Sequence, residues 1–198
     1  MSSLPEDKSN GYEEAADRFL SARNPDIGRA TISQWCRTLP PRAFVLDLGC
    51  GHGVPISQTL IEHGFTVFGV DASPTLLAAF RGRFPSALTE CSAVEDSGFF
   101  EREFDGVVAS GLLFLLPPHA QSLVVHKVAR ALKPGGKFLF TSPKERATWR
   151  DALTGGESIS LGAEQYQQLL DAAGLDVVGE LYDEGNNHYY LVSKPQKS

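Results

Sequence analysis

Apolar positions in this chain follow two rhythms. Compact apolar runs at residues 43–48, 65–70, 87–91, 104–109 and 137–141 read as buried strands, and between them apolar residues recur at the three-to-four-residue spacing of a helix face. One helix start is explicit: Ser73 can cap it, Pro74 suits its first turn, and Leu77, Phe80 and Phe84 then share a face. Further helices are predicted up to residue 63 and over 119–132, with two more near 11–22 and 25–38. Strands alternating with helices of this length predict a parallel sheet covered on both faces. After a last helix stopped by Gly174, "LDVVGELYD" and "YYLVSK" are joined only by "EGNNH", a connection so short that the two strands must be antiparallel. The chain reads as one domain over 1–198, with a polar, frayed start at 1–10, a helical stretch at 11–39 and the alternating core at 40–195.

Composition narrows the partners. A formal net charge of −6 argues against a phosphate-backbone partner, which would call for a basic face, so no nucleic acid is expected. No stretch has the order of a signal peptide and no apolar run could span a bilayer, which predicts a cytoplasmic protein with no membrane partner. The three cysteines, Cys36, Cys50 and Cys91, lack the close pairing of a zinc or redox site and read as reduced residues in or near the core. No metal is predicted. A small-molecule partner suits this balance, with monomer and homodimer both open.

The chemistry starts at "VLDLGCGHG", residues 45–53, where Asp47 interrupts an apolar run and three glycines follow. In an open parallel sheet, ligands bind beyond the carboxyl ends of the strands, and glycines there let the backbone turn sharply and lie close to a ligand. Asp71 ends the second run in "FGVDAS", where a carboxylate can accept hydrogen bonds from the vicinal hydroxyls of a ribose. Two acids at the ends of adjacent strands are costly to bury unless something satisfies them. A dinucleotide oxidoreductase also joins glycines to a later acid, but Val54 stands where the last glycine of that fingerprint belongs, and Asp47 would face a pyrophosphate.

These residues resemble the class I S-adenosylmethionine-dependent methyltransferases. "VLDLGCGHG" is similar to their first motif, "GVDAS" to their second-strand acid, "FDGVVASGLLFLL" to their fourth strand and loop, and "LKPGGKFLF" to the turn into their fifth strand. The resemblance covers roughly residues 40 to 195 and implies a Rossmann-like, doubly wound, mostly parallel seven-stranded sheet with the last strand antiparallel. It implies S-adenosylmethionine as cofactor and S-adenosylhomocysteine as product. Carried over residue by residue, Gly49 and Gly51 would lie along the methionine portion, Asp47 would hold its ammonium group, and Asp71, with Ala72 beside it, would take the ribose. Ala93, Val94 and Glu95 would meet the adenine, although Ala93 stands where the family commonly has an acid. Ser110 would sit where cofactor tail and methyl acceptor meet. "SGLLF" replaces the N-P-P-Y type motif of relatives acting on adenine or glutamine amino groups, which argues against those substrates.

The helices at 11–39 resemble the lid of small-molecule members, with Tyr12 covering apolar cofactor surface and Arg23 pairing with the methionine carboxylate; packed surface helices would read the same way. His188, at the exit of the sixth strand, could take a proton from the acceptor, and the same "EGNNH" suits a plain hairpin turn. The stretch "SPKERATWRDALTGGESISLG" reads as a mobile flap or a surface loop on that face. The implied activity is methyl transfer to an O, N or S atom of a small molecule. A non-catalytic cofactor-binding subunit and a methyltransferase acting on RNA or protein are the alternatives.

Overall fold

A computed structural model describes residues 8–22 and 24–196. Seven strands form one sheet in the order β3 (Leu88–Cys91), β2 (Thr66–Asp71), β1 (Phe44–Leu48), β4 (Phe104–Ala109), β5 (Leu132–Thr141), β9 (His188–Ser193), β8 (Asp176–Tyr182). The pairs among β1 to β5 are parallel, and β9 runs antiparallel to both β5 and β8. The chain moves outward from β1 to β3, then crosses back to β4, so the strand order reverses between β1 and β4.

Side-chain alternation along these strands sorts the core into two layers. Leu46, Phe68, Val107, Phe138 and Tyr190 pack on α5 (Pro118–Ala131) and α6 (Ala163–Ala172). Val45, Val67, Val108, Leu139 and Tyr189 face α2 (Arg29–Cys36), α3 (Ile56–Glu62) and α4 (Pro74–Arg83). Cys36 and Cys50 are buried, and burial pushes the Cys36 thiol up to about 12 and Cys50 well above the ordinary cysteine range. Cys91 ends β3 and is exposed, where a place in or near the core was expected.

Local signals fixed most boundaries. Ser73 caps α4, its Oγ accepting from Leu76 N at 3.1 Å, with Pro74 in the first turn. Three segments depart from the sequence reading. Helix α1 spans only Ala16–Ala22, because Asn10 and Gly11 take positive φ and residues 8–15 form turns. Residues 8–10, expected to fray, pack on the body: Ser9 is buried, and Lys8 pairs with Asp96 at 2.6 Å. The stretch after β5, expected to be a flap or a loop, forms a hairpin of β6 (Ala147–Arg150) and β7 (Glu157–Ser160) in which Ser158 and Ser160 are fully buried. Four-residue strands carry too short an alternation to be told from loop by pattern.

Candidate active site

The carboxyl end of β1 turns into α3 through the glycine loop. Gly49 N and Cys50 N donate to Val70 O at 2.8 and 3.1 Å, tying the loop to β2, while Gly49 and Gly51 take φ of 67° and 53°. Asp47, 2% exposed, accepts from Ser57 Oγ at 2.6 Å. Asp71 accepts from Gly51 N at 2.7 Å on one oxygen and from Ser73 N at 2.8 Å on the other, so one carboxylate braces both the loop and the start of α4. Burial pushes the Asp71 carboxyl above the ordinary aspartate range, and these two N–H bonds work against that shift.

These residues line a cleft of about 240 Å³ over the β1–β4 reversal. At its β3 end stand Ala93, Val94 and Glu95, in a turn fixed from below by Lys127, whose ammonium donates to the carbonyls of Val94, Glu95 and Ser97 at 2.9, 2.8 and 2.6 Å. Lys127 lies on α5, more than thirty residues away in sequence, and nothing in the local pattern marks it. At the other end stand Ser110 after β4, Thr141 at the end of β5, and Asp183, Asn187 and Tyr189 around the β8–β9 turn. Gly111 N donates to Thr141 Oγ1 at 2.6 Å and joins the ends of β4 and β5.

The N-terminal segment lies across the opening. Glu13 accepts from Ser73 Oγ, from Thr75 N at 3.1 Å and from Thr75 Oγ1 at 2.6 Å, which seats it on the first turn of α4, where an acid is favoured. Tyr12 Oη donates to Asp151 Oδ2 at 3.2 Å, bridging the segment to the β6–β7 hairpin, and Phe19 packs edge-on against Tyr12 and His52. The hairpin leans back over the cleft through Trp149, whose ring centroid lies 5.3 Å from that of Phe114.

Of the residues singled out in the sequence, Tyr12, Asp47, Gly49, Gly51, Asp71, Ala72, Ala93, Val94, Glu95 and Ser110 all line this one cleft. Arg23 lies outside the described residues. His188 does not face the cleft. It opens β9 and shares the face of Tyr190, with its Nδ1 at 2.9 Å from Ser142 O and its Nε2 at 3.4 Å from Glu180; Tyr189, one residue on, points into the cleft. The correction is one of strand parity, since neighbouring residues of a strand face opposite sides. Tyr189, Asp183 and Asp151 also line the cleft, with no role assigned to them from the sequence.

A carboxylate-lined cleft at the reversal point of a doubly wound sheet is the arrangement in which α/β proteins hold nucleotide-like cofactors. A methyltransferase domain family matches residues 45–136. The chain is 30% identical over 176 residues to a ubiquinone biosynthesis O-methyltransferase of Xanthomonas oryzae, covering 78% of this chain and 72% of that protein. It is 36% identical over 111 residues to an uncharacterized methyltransferase of Synechocystis, of which it spans 52%. In fold it is similar to a Burkholderia thailandensis 1,6-didemethyltoxoflavin N1-methyltransferase, with a TM-score of 0.73 at 18% identity, covering 100% of this chain and 93% of that one. The chain belongs to the class I S-adenosylmethionine-dependent methyltransferases, and S-adenosylmethionine is the cofactor of that class. Among the described residues, no helix is long and apolar enough to cross a membrane.

Proposed function

We propose that this chain transfers a methyl group to an oxygen, nitrogen or sulfur atom of a small molecule. The observation that carries this reading is the closure of the cleft: the Tyr12–Asp151 bridge and the β6–β7 hairpin wall in its β4–β5–β9 half, leaving a compartment suited to a small molecule rather than a polymer. The Xanthomonas oryzae relative is a ubiquinone biosynthesis O-methyltransferase and the Burkholderia thailandensis neighbour a 1,6-didemethyltoxoflavin N1-methyltransferase, which supports the same class of acceptor.

The donor set fits the cofactor. Asp71 has spent two of its roughly four acceptor positions on backbone N–H groups, leaving others for ribose hydroxyls. Asp47 offers a buried carboxylate to the ammonium group, and Gly49 and Gly51 give the methionine portion a backbone without side chains to lie against. Ala72 and Tyr12 flank the ribose and its cover, while Ala93, Val94 and Glu95 form the adenine wall. When bound, the sulfonium supplies an activated methyl group and its own leaving group; the protein aligns the acceptor and excludes water.

Two measurements test the proposal. Calorimetric titration with S-adenosylhomocysteine is expected to give micromolar-range binding, on the order of −8 kcal/mol, with a nicotinamide dinucleotide showing none. Labelled methyl transfer to phenols, amines or thiols is expected in the same sample. Binding without any product would make the chain a cofactor-binding subunit, and salt-sensitive methylation of RNA would reassign it to polymers.

The affinity should also depend on pH in a defined direction. Hydroxyl donors on the Asp71 carboxylate favour its ionised form, so a ligand seated there expels the proton that burial helps retain. Affinity for S-adenosylhomocysteine is expected to rise with pH through the window between the bound and unbound values and then level off. A calorimetric pH series checks this, and Asp71→Asn should flatten it. Stability runs the other way. The folded chain holds this proton to higher pH than the unfolded chain, so the carboxyl's contribution falls as pH rises from the unfolded to the folded value.

A further inference from the structure

We infer that Ser110, Tyr189 and Asp183 form a polarised hydroxyl chain that selects a methyl acceptor whose nucleophilic atom carries a hydrogen, an amine or a hydroxyl, over a thiolate or a carboxylate. This rests on the methyl-transfer reading above and narrows its acceptor.

The strand order sets where the acceptor lies. A nucleoside held at the ends of β3, β2 and β1 leaves the ends of β4, β5 and β9 for the second substrate. Ser110, Thr141 and Tyr189 stand there.

Asp183 is fixed first. Its Oδ1 accepts from the backbone N–H of Gly185 and of Asn187, each at 2.9 Å, and its Oδ2 accepts from Asn187 Nδ2 at 2.9 Å. Those donors lock the carboxylate into the β8–β9 turn. Tyr189 Oη then donates its one proton to Asp183 Oδ2 at 3.1 Å, because an ionised carboxylate only accepts. With that proton committed, Tyr189 Oη can offer Ser110 only a lone pair, so in the 3.3 Å contact between them Ser110 is the donor. That distance is long for a hydroxyl pair, as such contacts often are before substrate tightens them.

The consequence is a direction. Both hydroxyl protons are committed within the Ser110–Tyr189–Asp183 chain, so Ser110, half-buried in front of the 1% exposed Tyr189, presents lone pairs to the acceptor. An N–H or O–H on the nucleophile meets an acceptor there; a thiolate or carboxylate would set lone pairs against lone pairs. Asp151, in the wall of the same compartment, disfavours an anionic acceptor in the same sense. In the transfer itself the acceptor's lone pair forms the bond to the methyl carbon, the electrons of the breaking carbon–sulfur bond stay on sulfur, and the acceptor's proton passes to water.

The test uses the whole chain, a labelled methyl donor, and four matched aromatic probes bearing an amine, a hydroxyl, a thiol or a carboxylate. Amine or hydroxyl methylation is expected to exceed thiol and carboxylate methylation. Ser110→Ala and Tyr189→Phe should each lower kcat on the amine and hydroxyl probes about 10- to 100-fold, the cost of one misplaced or missing hydrogen bond. S-adenosylhomocysteine affinity should not change in Tyr189→Phe, and Ser110→Thr should retain most of the rate. Tyr189→Phe, which frees the Ser110 proton to turn into the cleft, should also shrink the preference over the thiol. A wild-type preference for thiol or carboxylate, or an equal loss on all probes in Tyr189→Phe, overturns the inference. Methylation of the thiol or carboxylate probe with none of the amine or hydroxyl overturns it alone, whereas cofactor binding without any product, or no cofactor binding, overturns the methyl-transfer reading as well.

Discussion

Asp71→Ala is expected to weaken S-adenosylhomocysteine binding by at least about 100-fold, the loss of two charge-assisted hydrogen bonds at roughly 1.5–3 kcal/mol each. Two effects act together. The carboxylate is the ribose acceptor in the proposed arrangement, and it also holds Gly51 N and Ser73 N, so its removal releases the loop that shapes the neighbouring methionine site. Thermal stability should change far less, because the substitution also removes a carboxylate whose ionisation burial disfavours. Calorimetry paired with a melting curve separates the outcomes: unchanged affinity would place the ribose elsewhere in the cleft.

Gly53→Ala is the second large effect, and it is one of folding. A Cβ at Gly53 would lie 2.6 Å from a Phe84 ring carbon and 2.8 Å from one of Phe80, and the residue sits at a φ of +85°. Left-handed backbone costs an alanine about 1–2 kcal/mol and overpacking adds about 1–3 kcal/mol, so a loss of roughly 2–5 kcal/mol is expected. For a chain of this size that lowers Tm by roughly 4–20 °C, measurable by calorimetric or circular dichroism melting. Gly82→Ala is the internal control: it lies in α4 with nothing within 4 Å of its Cβ position, and it should stabilise by up to about 1 kcal/mol.

Gly53 also shows what a sequence conceals. Read as a string, "GCGHG" gives its glycines one purpose; in the structure Gly49 and Gly51 line the cleft, while Gly53 makes room for Phe80 of α4 and for Phe84 just after it. The β1 strand, the Ser73–Pro74 start and the two strand-end acids were legible because each rests on residues adjacent in the chain. His188 and Tyr189 were confused because one position decides which face of β9 a side chain takes, and the turn before it can shift that parity. Lys127 and Glu13 were invisible for another reason. Their partners lie across the fold, and a lone lysine on one helix or a lone glutamate before another announces no partner. The β6–β7 hairpin was missed because four-residue strands outside the main sheet alternate too briefly to stand out from loop.

Ser73 gives the architecture its most economical linkage. Its N–H is held by Asp71 and its hydroxyl by Glu13, so the Asp71 carboxylate and the N-terminal strap are neighbours through a single residue. Two elements that share one anchor cannot be ordered independently: steadying the carboxylate steadies the strap, and seating the strap preorganises the carboxylate by the same free energy. In the proposed arrangement, cofactor affinity is thereby partly a property of residues 8–22, although the nucleoside cradle itself is built by the sheet.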